Sequence, residues 1–431
     1  MDRALRERGQ NGSFDLEALE FAVRDSLHRL GGSFLEQFLN TEWQDTVGCV
    51  RCKQQHASRP AGKREKKLLT VLGEIRLERD YFHCAPCQEG RIPKDEELDI
   101  VGSRFSPGVR RMLARVGSKE SFEEGRQDLE FLAGIVVTSK QVERIAEQVG
   151  EEVERRNQQD REDLQAATLS PMKPTGPTLY IAMDGTGIPM VPEELEGREG
   201  KQGPAKTREA KLGCVFTQTK LDKEGRPIRD ENSTTYCGAI ESAEPFAARI
   251  HTEAVHRGAG LAQRVVVVGD GAPWIWNIAE NYFPQAIFIV DLFHARQRIA
   301  DASKLLFPGN STKMNRWKED QSELLDQGLI VLLVRNMRKQ ATACPEVAPA
   351  VEKIANYFET NATRMKYADF RSQGLFVGSG VMEAGCKTIV GQRLKHSGMH
   401  WTLRGANSIL ALRCLELSGR MDSFWEQRTA A

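Results

Sequence analysis

The 431-residue sequence lacks long hydrophobic runs and any excess of one charge. Its longest apolar stretches, such as residues 265–268 and 329–334, fall far short of the ~20 residues that a membrane helix requires, so we predict no membrane partner. Sixty Lys and Arg balance sixty Asp and Glu, so bulk positive charge gives no argument for nucleic-acid binding. The amino terminus lacks the apolar core of a secretory signal, which predicts a cytoplasmic protein whose nine cysteines are not in disulfides.

Four of the nine cysteines form two Cys-x-x-Cys pairs, Cys49/Cys52 and Cys84/Cys87, separated by 31 residues. Two such pairs can close a tetrahedral thiolate site, so we predict a structural Zn²⁺ held by these four residues. Redox-active or packing thiols are the alternative. The neighbouring His56 and His83 are alternative ligands, although surface or packing roles suit them better.

Between the cysteine pairs, Ile75 and Leu77 alternate with charged residues, which predicts a hairpin with Gly73 at a turn or bulge. Basic residues of this unit are candidate phosphate contacts: Arg51, Lys53, Lys63, Arg64, Lys66 and Lys67. Upstream, apolar residues at helical spacing over 14–40 predict a helix that breaks at Gly31-Gly32.

Three apolar stripes between residues 103 and 153 predict three helices with tight connections. A set of this size is typical of a helix-turn-helix unit, in which Lys140, Gln141 and Arg144 would begin the recognition helix and contact DNA. A small helical bundle that joins neighbouring domains is the alternative. An acidic stretch at 151–164, followed by three prolines between 171 and 177, indicates a domain boundary.

Beyond residue 177, three consecutive strands and then alternating helices and strands predict a mixed α/β sheet. Three predicted strands end in a carboxylate, at Asp184, Asp270 and Asp291. Sites in open α/β sheets form beyond the strand ends, whereas a single strand-end Asp is usually a cap or a turn residue. Gly185 and Gly271 follow the first two and would leave the backbone bare for a ligand.

Residues 384–415 contain five Lys or Arg and no Asp or Glu. They follow Glu383, which lies on a predicted helix, and the local sequence GVMEAGCKT only approximates a phosphate-binding P-loop because Cys386 separates the Gly from the Lys. A stretch whose charged residues are all basic, next to an acid, suggests that a polyanion binds near that acid. The alternative is a helix face that is simply exposed to solvent. Candidate DNA contacts here are Lys387, Arg393, Lys395, His396 and Trp401.

Three blocks, MDGTG with a downstream REAKLG, VVVVGDGAPWIWNIAENYFPQAIFIVDLFHA and GSGVMEAGCKTIVGQRLKHSGMHW, resemble the DDE transposases of bacterial insertion sequences. The closest type is ISKra, in the wider group related to Mutator-like elements. The resemblance implies an RNase H-like catalytic domain with Asp184 as the first acid, Asp270 as the second and Glu383 as the third. It also implies a helical insertion before the Glu, and a supporting role for Asp291 and His294.

The predicted fold is therefore a multidomain α+β protein with an RNase H-like mixed α/β catalytic domain and an all-helical insertion. A zinc-ribbon-like unit and a helix-turn-helix-like unit precede that domain. The predicted segments are a helical segment 1–45, the four-cysteine zinc-ribbon-like unit 46–100, the DNA-binding helices 101–157, a linker 158–176, catalytic parts 177–300 and 373–431, and the insertion 301–372.

The chemistry suits those residue types, because phosphodiester transfer uses two oxygen-ligated cations and Mg²⁺ prefers carboxylates. We expect two Mg²⁺ or Mn²⁺ ions per active site on Asp184, Asp270 and Glu383. The expected partner is double-stranded DNA, as terminal inverted repeats and target, bound by a homodimer or larger assembly. Alternatives are a catalytically silent DNA-binding protein derived from a transposase, or an RNase H-like nuclease that does not join strands; a nucleotide-binding enzyme is the weakest option.

Overall fold

The computed structural model describes residues 15–41, 48–49, 51–52, 58–168, 176–200 and 203–429. The chain divides into two compact units, one of residues 1–149 with 423–431 and one of residues 150–422. Lys53 and His56, singled out above, lie outside the described residues, as do parts of the predicted segments 1–45, 46–100 and 158–176.

The first unit combines a long helix, a small antiparallel sheet and a series of further helices. Its elements are α1 (Leu16–Leu39), β1 (Ser58–Thr70), β2 (Gly73–Cys84), β3 (Glu89–Arg91), α2 (Pro93–Glu97), α3 (Pro107–Lys119), α4 (Phe122–Ala133) and α5 (Ser139–Gln165). The division between the units falls within α5.

The predicted hairpin is confirmed. Strands β1 and β2 pair antiparallel from Ser58 opposite Cys84 to Thr70 opposite Gly73, and Gly73 has the positive φ of 104° that the turn requires. Because side chains alternate along a strand, one face of the hairpin is apolar and forms the local core. That core contains Leu68, Ile75, Leu77 and Ile100, with Leu35, Leu39 and Leu98 packed against it.

The predicted break at Gly31-Gly32 is wrong, because α1 continues through both glycines to Leu39. The glycines instead allow the helix to approach the hairpin turn closely. A Cβ on Gly31 would lie 3.2 Å from Leu72 Cδ1, and a Cβ on Gly32 would lie 3.1 Å from the Leu72 carbonyl oxygen. Asp15 caps the start of the helix by accepting from the Ala18 N–H.

The three predicted helices after residue 103 are confirmed as α3, α4 and α5. Ser106 caps α3, and Ser121 forms a capping box with Glu124 at the start of α4. Gly134, with a φ of 67°, ends α4 in the left-handed conformation. The third helix is longer than its apolar stripe predicts, since α5 continues through the acidic residues 151–164.

The second unit is built around a five-stranded sheet. Its strands are β4 (Thr178–Pro189), β5 (Thr207–Gln218), β6 (Thr235–Ala239), β7 (Arg264–Gly269) and β8 (Ile287–Val290), in the order β6-β5-β4-β7-β8. Strand β5 is antiparallel to β4 and β6, while β4, β7 and β8 are parallel. Two-residue pairs also join Glu199–Gly200 to Gly203–Pro204 and Lys220–Leu221 to Pro227–Ile228. The predicted mixed sheet is confirmed.

Helices cover and follow this sheet. They are α6 (Ala243–His256), α7 (Pro273–Tyr282), α8 (Leu292–Leu306), α9 (Ser311–Asp326), α10 (Ile330–Thr342), α11 (Ala348–Thr360), α12 (Tyr367–Ser372), α13 (Gly380–Cys386), α14 (Gln392–Leu394) and α15 (Leu403–Leu417). The last helix, α16 (Met421–Thr429), begins in this unit, but its residues from 423 onward belong to the first unit. A π-helical turn, Lys387–Gly391, links α13 to α14. Among the described helices, none has the length and apolar character to cross a membrane.

The helical stretch predicted between about 296 and 370 is confirmed as α8 to α12. Two tyrosine hydroxyls fasten this stretch to the sheet. Tyr367 donates to the Val290 carbonyl at 3.0 Å, and Tyr357 donates to the Asp270 carbonyl at 3.0 Å. The helices therefore brace the ends of β7 and β8, where the strand-end acids lie.

Candidate functional site

The four paired cysteines lie together in the first unit. Their sulfur atoms are all within 4.8 Å of one another, and the Sγ atoms of Cys52 and Cys84 are 3.9 Å apart. Across the part of the chain that the structure describes, no other group of three or more His, Cys, Asp or Glu side chains brings its ligand atoms this close. His83, the alternative ligand among the described residues, is not in the group.

In each cysteine pair, a backbone group of the second cysteine hydrogen-bonds to the sulfur of the first. The bond from Cys52 is the main cause that lowers the pKa of Cys49 to about 7, while desolvation raises the pKa of Cys87 to about 12. Four converging sulfurs with such backbone support fit the thiolate set that Zn²⁺ prefers. The cluster could therefore hold a structural zinc ion at the base of the hairpin.

The basic residues around the hairpin are largely paired with acids. Lys66 donates to the Ile100 carbonyl at 2.6 Å and lies 3.3 Å from Asp95, with its side chain mostly buried. Its internal contacts make Lys66 unsuited to a phosphate contact. Ion pairs also join Arg51 to Glu89, Lys63 to Glu78 and Lys67 to Glu74, and Arg64 stacks over the Tyr81 ring.

In the second unit, Asp184, Asp270 and Asp291 form a row across three adjacent parallel strands of the sheet. Val268 on β7 pairs with Ala182 on β4, so the same register places Asp270 level with Asp184 two residues further on. Gly269 pairs with Val290 on β8, which places Asp291 level with Asp270. Asp270 and Asp291 directly follow β7 and β8, whereas Asp184 lies within β4, which continues to Pro189. The strand end predicted at Asp184 is therefore wrong, but the register still places the three acids level with one another.

Asp184 is half-buried at its position on β4. Its Oδ1 accepts the Gly185 N–H at 2.7 Å, and its Oδ2 accepts the Cys386 thiol at 3.5 Å. Burial raises the pKa of Asp184, the charge of Asp270 raises it further, and the two hydrogen bonds oppose these effects. A carboxyl with this balance gains from a cation placed beside it.

Asp270 begins the turn after β7, and its Oδ1 accepts the Ala272 N–H at 2.8 Å. The expectation that the following glycines leave bare backbone for a ligand is wrong at both aspartates. A Cβ on Gly271, which has a φ of 95°, would lie 2.4 Å from the Tyr357 ring, and a Cβ on Gly185 would lie 2.5 Å from Glu209 Oε1. Both glycines make room for side chains of the protein itself.

Asp291 is fully buried and caps α8 by accepting the His294 N–H at 2.8 Å. Its other oxygen accepts the Ser379 N–H, and His294 Nδ1 lies 3.4 Å from Oδ1. Burial acts to raise the pKa of Asp291, but the bonds from His294 and Ser379 outweigh it and lower that pKa to about 2. The bond to Asp291 raises the pKa of His294. The hydrogen bond between Asp291 and Ser379 therefore ties the end of β8 to the segment that begins α13.

Helix α13 carries Glu383 and is fastened to the acid row near both of its ends. Ser379, just before the helix, donates to Asp291, and Cys386, its last residue, donates to Asp184. Glu383 lies three residues before Cys386, so the two share one side of the helix. Glu383 is exposed on the helix that these two hydrogen bonds fasten to the row.

The acids do not form a closed cluster in this conformation. No three carboxylate oxygens from the acids of the described residues lie within 4.8 Å of one another. Neighbouring carboxylates repel one another, so a cation placed between them would favour a closer arrangement. GVMEAGC is helical from Gly380 onward, so it does not form a P-loop.

The basic stretch after Glu383 divides into exposed and buried residues. Lys387, Lys395 and His396 are exposed, and Lys395 Nζ lies 2.6 Å from Thr186 Oγ1, two residues beyond Asp184. The side chain of Arg393 is fully buried, with its guanidinium over the Trp401 ring. The Trp401 indole is also buried and donates to the Leu394 carbonyl at 3.1 Å. Burial argues against direct DNA contact by Arg393 and Trp401, which here serve the core.

The candidate recognition residues of the first unit are accessible. Lys140 and Arg144 are exposed near the start of α5, one turn apart on the same side of the helix. Lys140 forms an ion pair with Glu143 at 2.8 Å. Exposed ion pairs of this kind are weak, so Lys140 can exchange Glu143 for a phosphate.

Sequence reasoning missed Ser379, Cys386 and Tyr357 as residues that organise the acids. In the sequence, Cys386 stands out only because it separates Gly385 from Lys387 and so breaks the P-loop pattern. Its position three residues after Glu383 was the available signal, because that spacing places both on one side of a helix. Tyr357 lies 87 residues from Asp270, and no local pattern connects them.

Residues 252–428 match the model of a family described as "Uncharacterised protein family (UPF0236)". The matched region includes Asp270, Asp291 and Glu383, but not Asp184 or the paired cysteines. The match therefore covers the later part of the acid row and all of α13.

Two curated relatives carry the same family designation. The chain is 22% identical over 377 residues to the "UPF0236 protein in vanSb 3'region" of Streptococcus gallolyticus, covering 84% of this chain and 75% of that protein. It is 23% identical over 247 residues to a UPF0236 protein of Caldanaerobacter subterraneus subsp. tengcongensis, covering 56% of this chain and 46% of that protein. The printed name of the second protein joins eleven locus designations.

Proposed function

We propose that this protein is a DNA transposase of an insertion sequence. In this proposal it cleaves phosphodiester bonds at the ends of its element and joins the freed 3′-hydroxyl to target DNA. The second unit performs the chemistry, and the first unit binds the element's terminal repeats.

The row of three aspartates, to which α13 is fastened by two hydrogen bonds, is the observation that carries the proposal. Asp184 and Asp270 lie level on adjacent parallel strands, and α13, which carries Glu383, is joined by hydrogen bonds to Asp291 and Asp184. The first acid lies on the first strand of the sheet, the second follows the fourth strand, and the Glu lies on a later helix, as the resemblance to RNase H-like DDE transposases implies. A structural role for a single buried acid is ordinary, and Asp291 has one as the cap of α8. Level carboxylates on adjacent strands, such as Asp184 and Asp270, repel one another and gain from a shared cation.

Each residue has a definite part in this proposal. Asp184, Asp270 and Glu383 would hold two divalent cations, Mg²⁺ or Mn²⁺, which activate the attacking hydroxyl and stabilise the leaving oxygen. Asp291 and His294 position α13 and remain outside the ligand set. Lys395, beside Thr186, and Lys387 are placed to contact the phosphates of a strand lying along this edge.

The second relative's name gives independent support. Eleven locus designations under one protein name are what repeated insertion of a single gene into one genome would leave. A regulatory protein or metabolic enzyme whose gene does not move gives no reason for eleven loci in one genome. The zinc-capable hairpin and the exposed Lys140 and Arg144 supply a separate surface for DNA, as recognition of element ends requires.

The test supplies the purified chain with Mg²⁺ or Mn²⁺ and a DNA fragment that carries its own gene with both flanks. All cleaved and joined ends are then sequenced. We expect defined nicks and joined products that require metal and disappear in Glu383→Gln. The matched control is Glu319→Gln, an exposed glutamate on α9, which should leave both products unchanged.

Two other outcomes identify the alternatives. Metal-dependent nicks without joined products would replace the proposal with a nuclease. Tight binding to one flank without cleavage under either metal would replace it with a DNA-binding protein that no longer performs chemistry.

A further inference from the structure

Helix α1 has two apolar sides, and the hairpin covers only one of them. Gly32, Leu35 and Leu39 face the hairpin and its core. On the opposite side, large apolar side chains remain exposed: Leu16 64%, Val23 44%, Leu27 60%, Leu30 55%, Phe34 63% and Phe38 75%. A monomeric protein rarely leaves a continuous apolar stripe along a whole helix.

The exposed side follows a strict repeat. Apolar residues occupy positions 16, 19, 23, 27, 30, 34 and 38, and their spacings are 3, 4, 4, 3, 4 and 4. This is an eleven-residue repeat, which keeps a stripe straight along an α-helix and is typical of paired helices. The partner that this stripe fits is therefore another long helix with the same periodicity.

The exposed area suits a dimer of this chain. If a fully exposed leucine or phenylalanine offers about 200 Å², the six side chains together offer about 700 Å², close to the ~800 Å² per partner of a stable interface. Phe131 and Leu132 are also exposed, but Phe131 packs against Phe21 on a neighbouring side of α1 and is not counted in this area.

We propose that α1 is a dimerisation helix whose stripe packs against the stripe of a second copy of this chain. The pairing is antiparallel. Glu20 lies at the edge of the stripe, and parallel helices would place it beside its own copy, whereas antiparallel helices separate the two carboxylates. Antiparallel packing also sets opposite ends of the helix dipoles side by side. Leu27 and Leu30 then lie near the centre of the interface.

Sedimentation equilibrium of the full-length protein, without DNA, tests the proposal. We expect a dimer mass at micromolar concentration. Leu27→Asp should give a monomer, because each copy would place a charge in the desolvated interface. We expect the dissociation constant to rise by about a hundredfold or more. The matched control is Val331→Asp on α10, an apolar residue that is 83% exposed, which should leave the dimer intact.

Photo-crosslinking identifies the occupant of the stripe. Phe34 is replaced by benzoylphenylalanine in a mixture of isotopically heavy and light chains, and the crosslinked peptides are sequenced. Heavy-to-light crosslinks between peptides from residues 16–39 support the proposal. A monomer mass, crosslinks within one chain to residues 1–14, or a dimer that survives Leu27→Asp would overturn it. None of these outcomes depends on the transposase activity.

Discussion

Asp291 is a fully buried carboxylate whose charge contributes to stability. Its pKa of about 2 in the folded chain lies below the ordinary value of about 3.9, so its ionised form stabilises the fold above that ordinary value. We predict that about 2 kcal/mol of stability is lost as the pH falls from about 4 to about 2. Urea unfolding at a series of pH values measures this loss.

The Asp291→Asn variant should show a smaller loss over the same pH range, because the amide cannot titrate yet can still accept the Ser379 N–H. Asp320→Asn, at an exposed position on α9, is the matched control and should retain the acid-dependent loss. An identical pH dependence in Asp291→Asn and the wild type would contradict this account.

Cys386 joins the helix that carries Glu383 to Asp184 through a hydrogen bond. Burial and the neighbouring Asp184 raise the pKa of its thiol, which therefore stays protonated and donates. We predict that Cys386→Ala lowers the metal-dependent cleavage rate about tenfold, since the loss of one buried hydrogen bond costs about 1 kcal/mol or more. Cys386→Ser should restore part of the rate because a hydroxyl also donates. Cys344→Ala, at a partly exposed cysteine, serves as the control and should not change the rate.

At the scale of elements, the hairpin depends on its sulfur cluster. We predict that the purified protein contains one zinc ion per chain, measured by elemental mass spectrometry. Cys49→Ser should release the metal and destabilise β1 and β2, because binding energy at a structural zinc site is folding energy. Amide hydrogen exchange should show the lost protection in the hairpin. Cys344→Ser should keep both the zinc and the protection.

Helices α5 and α15 meet at Gly150. A Cβ at this position would lie 2.2 Å from the Ser408 carbonyl oxygen, a backbone atom that cannot move aside cheaply. We predict that Gly150→Ala destabilises the second unit by about 3 kcal/mol, even though alanine favours helices. Thermal unfolding measures the change. Gly380→Ala, at the first residue of α13, has no atom within 4 Å of the added Cβ and should be neutral or slightly stabilising.

At the scale of the whole molecule, the net charge is zero, so the proposed binding to DNA would depend on local cations. We predict that Lys387→Ala with Lys395→Ala reduces the slope of log affinity against log salt by about two, because each phosphate contact contributes about 0.9. Fluorescence anisotropy with duplex DNA measures the slope. The control is the double variant Lys313→Ala with Lys353→Ala, which removes the same charge from the helical stretch α8 to α12 and should leave the slope unchanged. An equal change in that pair would mean that total charge, not position, sets the affinity.

Much of this architecture was predictable because its signals are local. The cysteine spacing, the alternation around Ile75 and the acids that follow β7 and β8 are readable within a few residues. The alignment of Asp184, Asp270 and Asp291 was not readable, because register depends on how strands far apart in sequence pair. The burial of Arg393 and Trp401 and the close approach of Gly32 to Leu72 were missed for the same reason, since both depend on tertiary neighbours.

The sequence separation of the contacts that hold α13 has a consequence for synthesis. Asp184 and Cys386 are 202 residues apart, and Asp291 and Ser379 are 88 residues apart. The ribosome therefore releases the sulfur cluster and every aspartate of the row long before the helix that carries Glu383. If these acids cut DNA, a nascent chain still attached to its mRNA would bind DNA without cutting it, because Glu383 would not yet have been added.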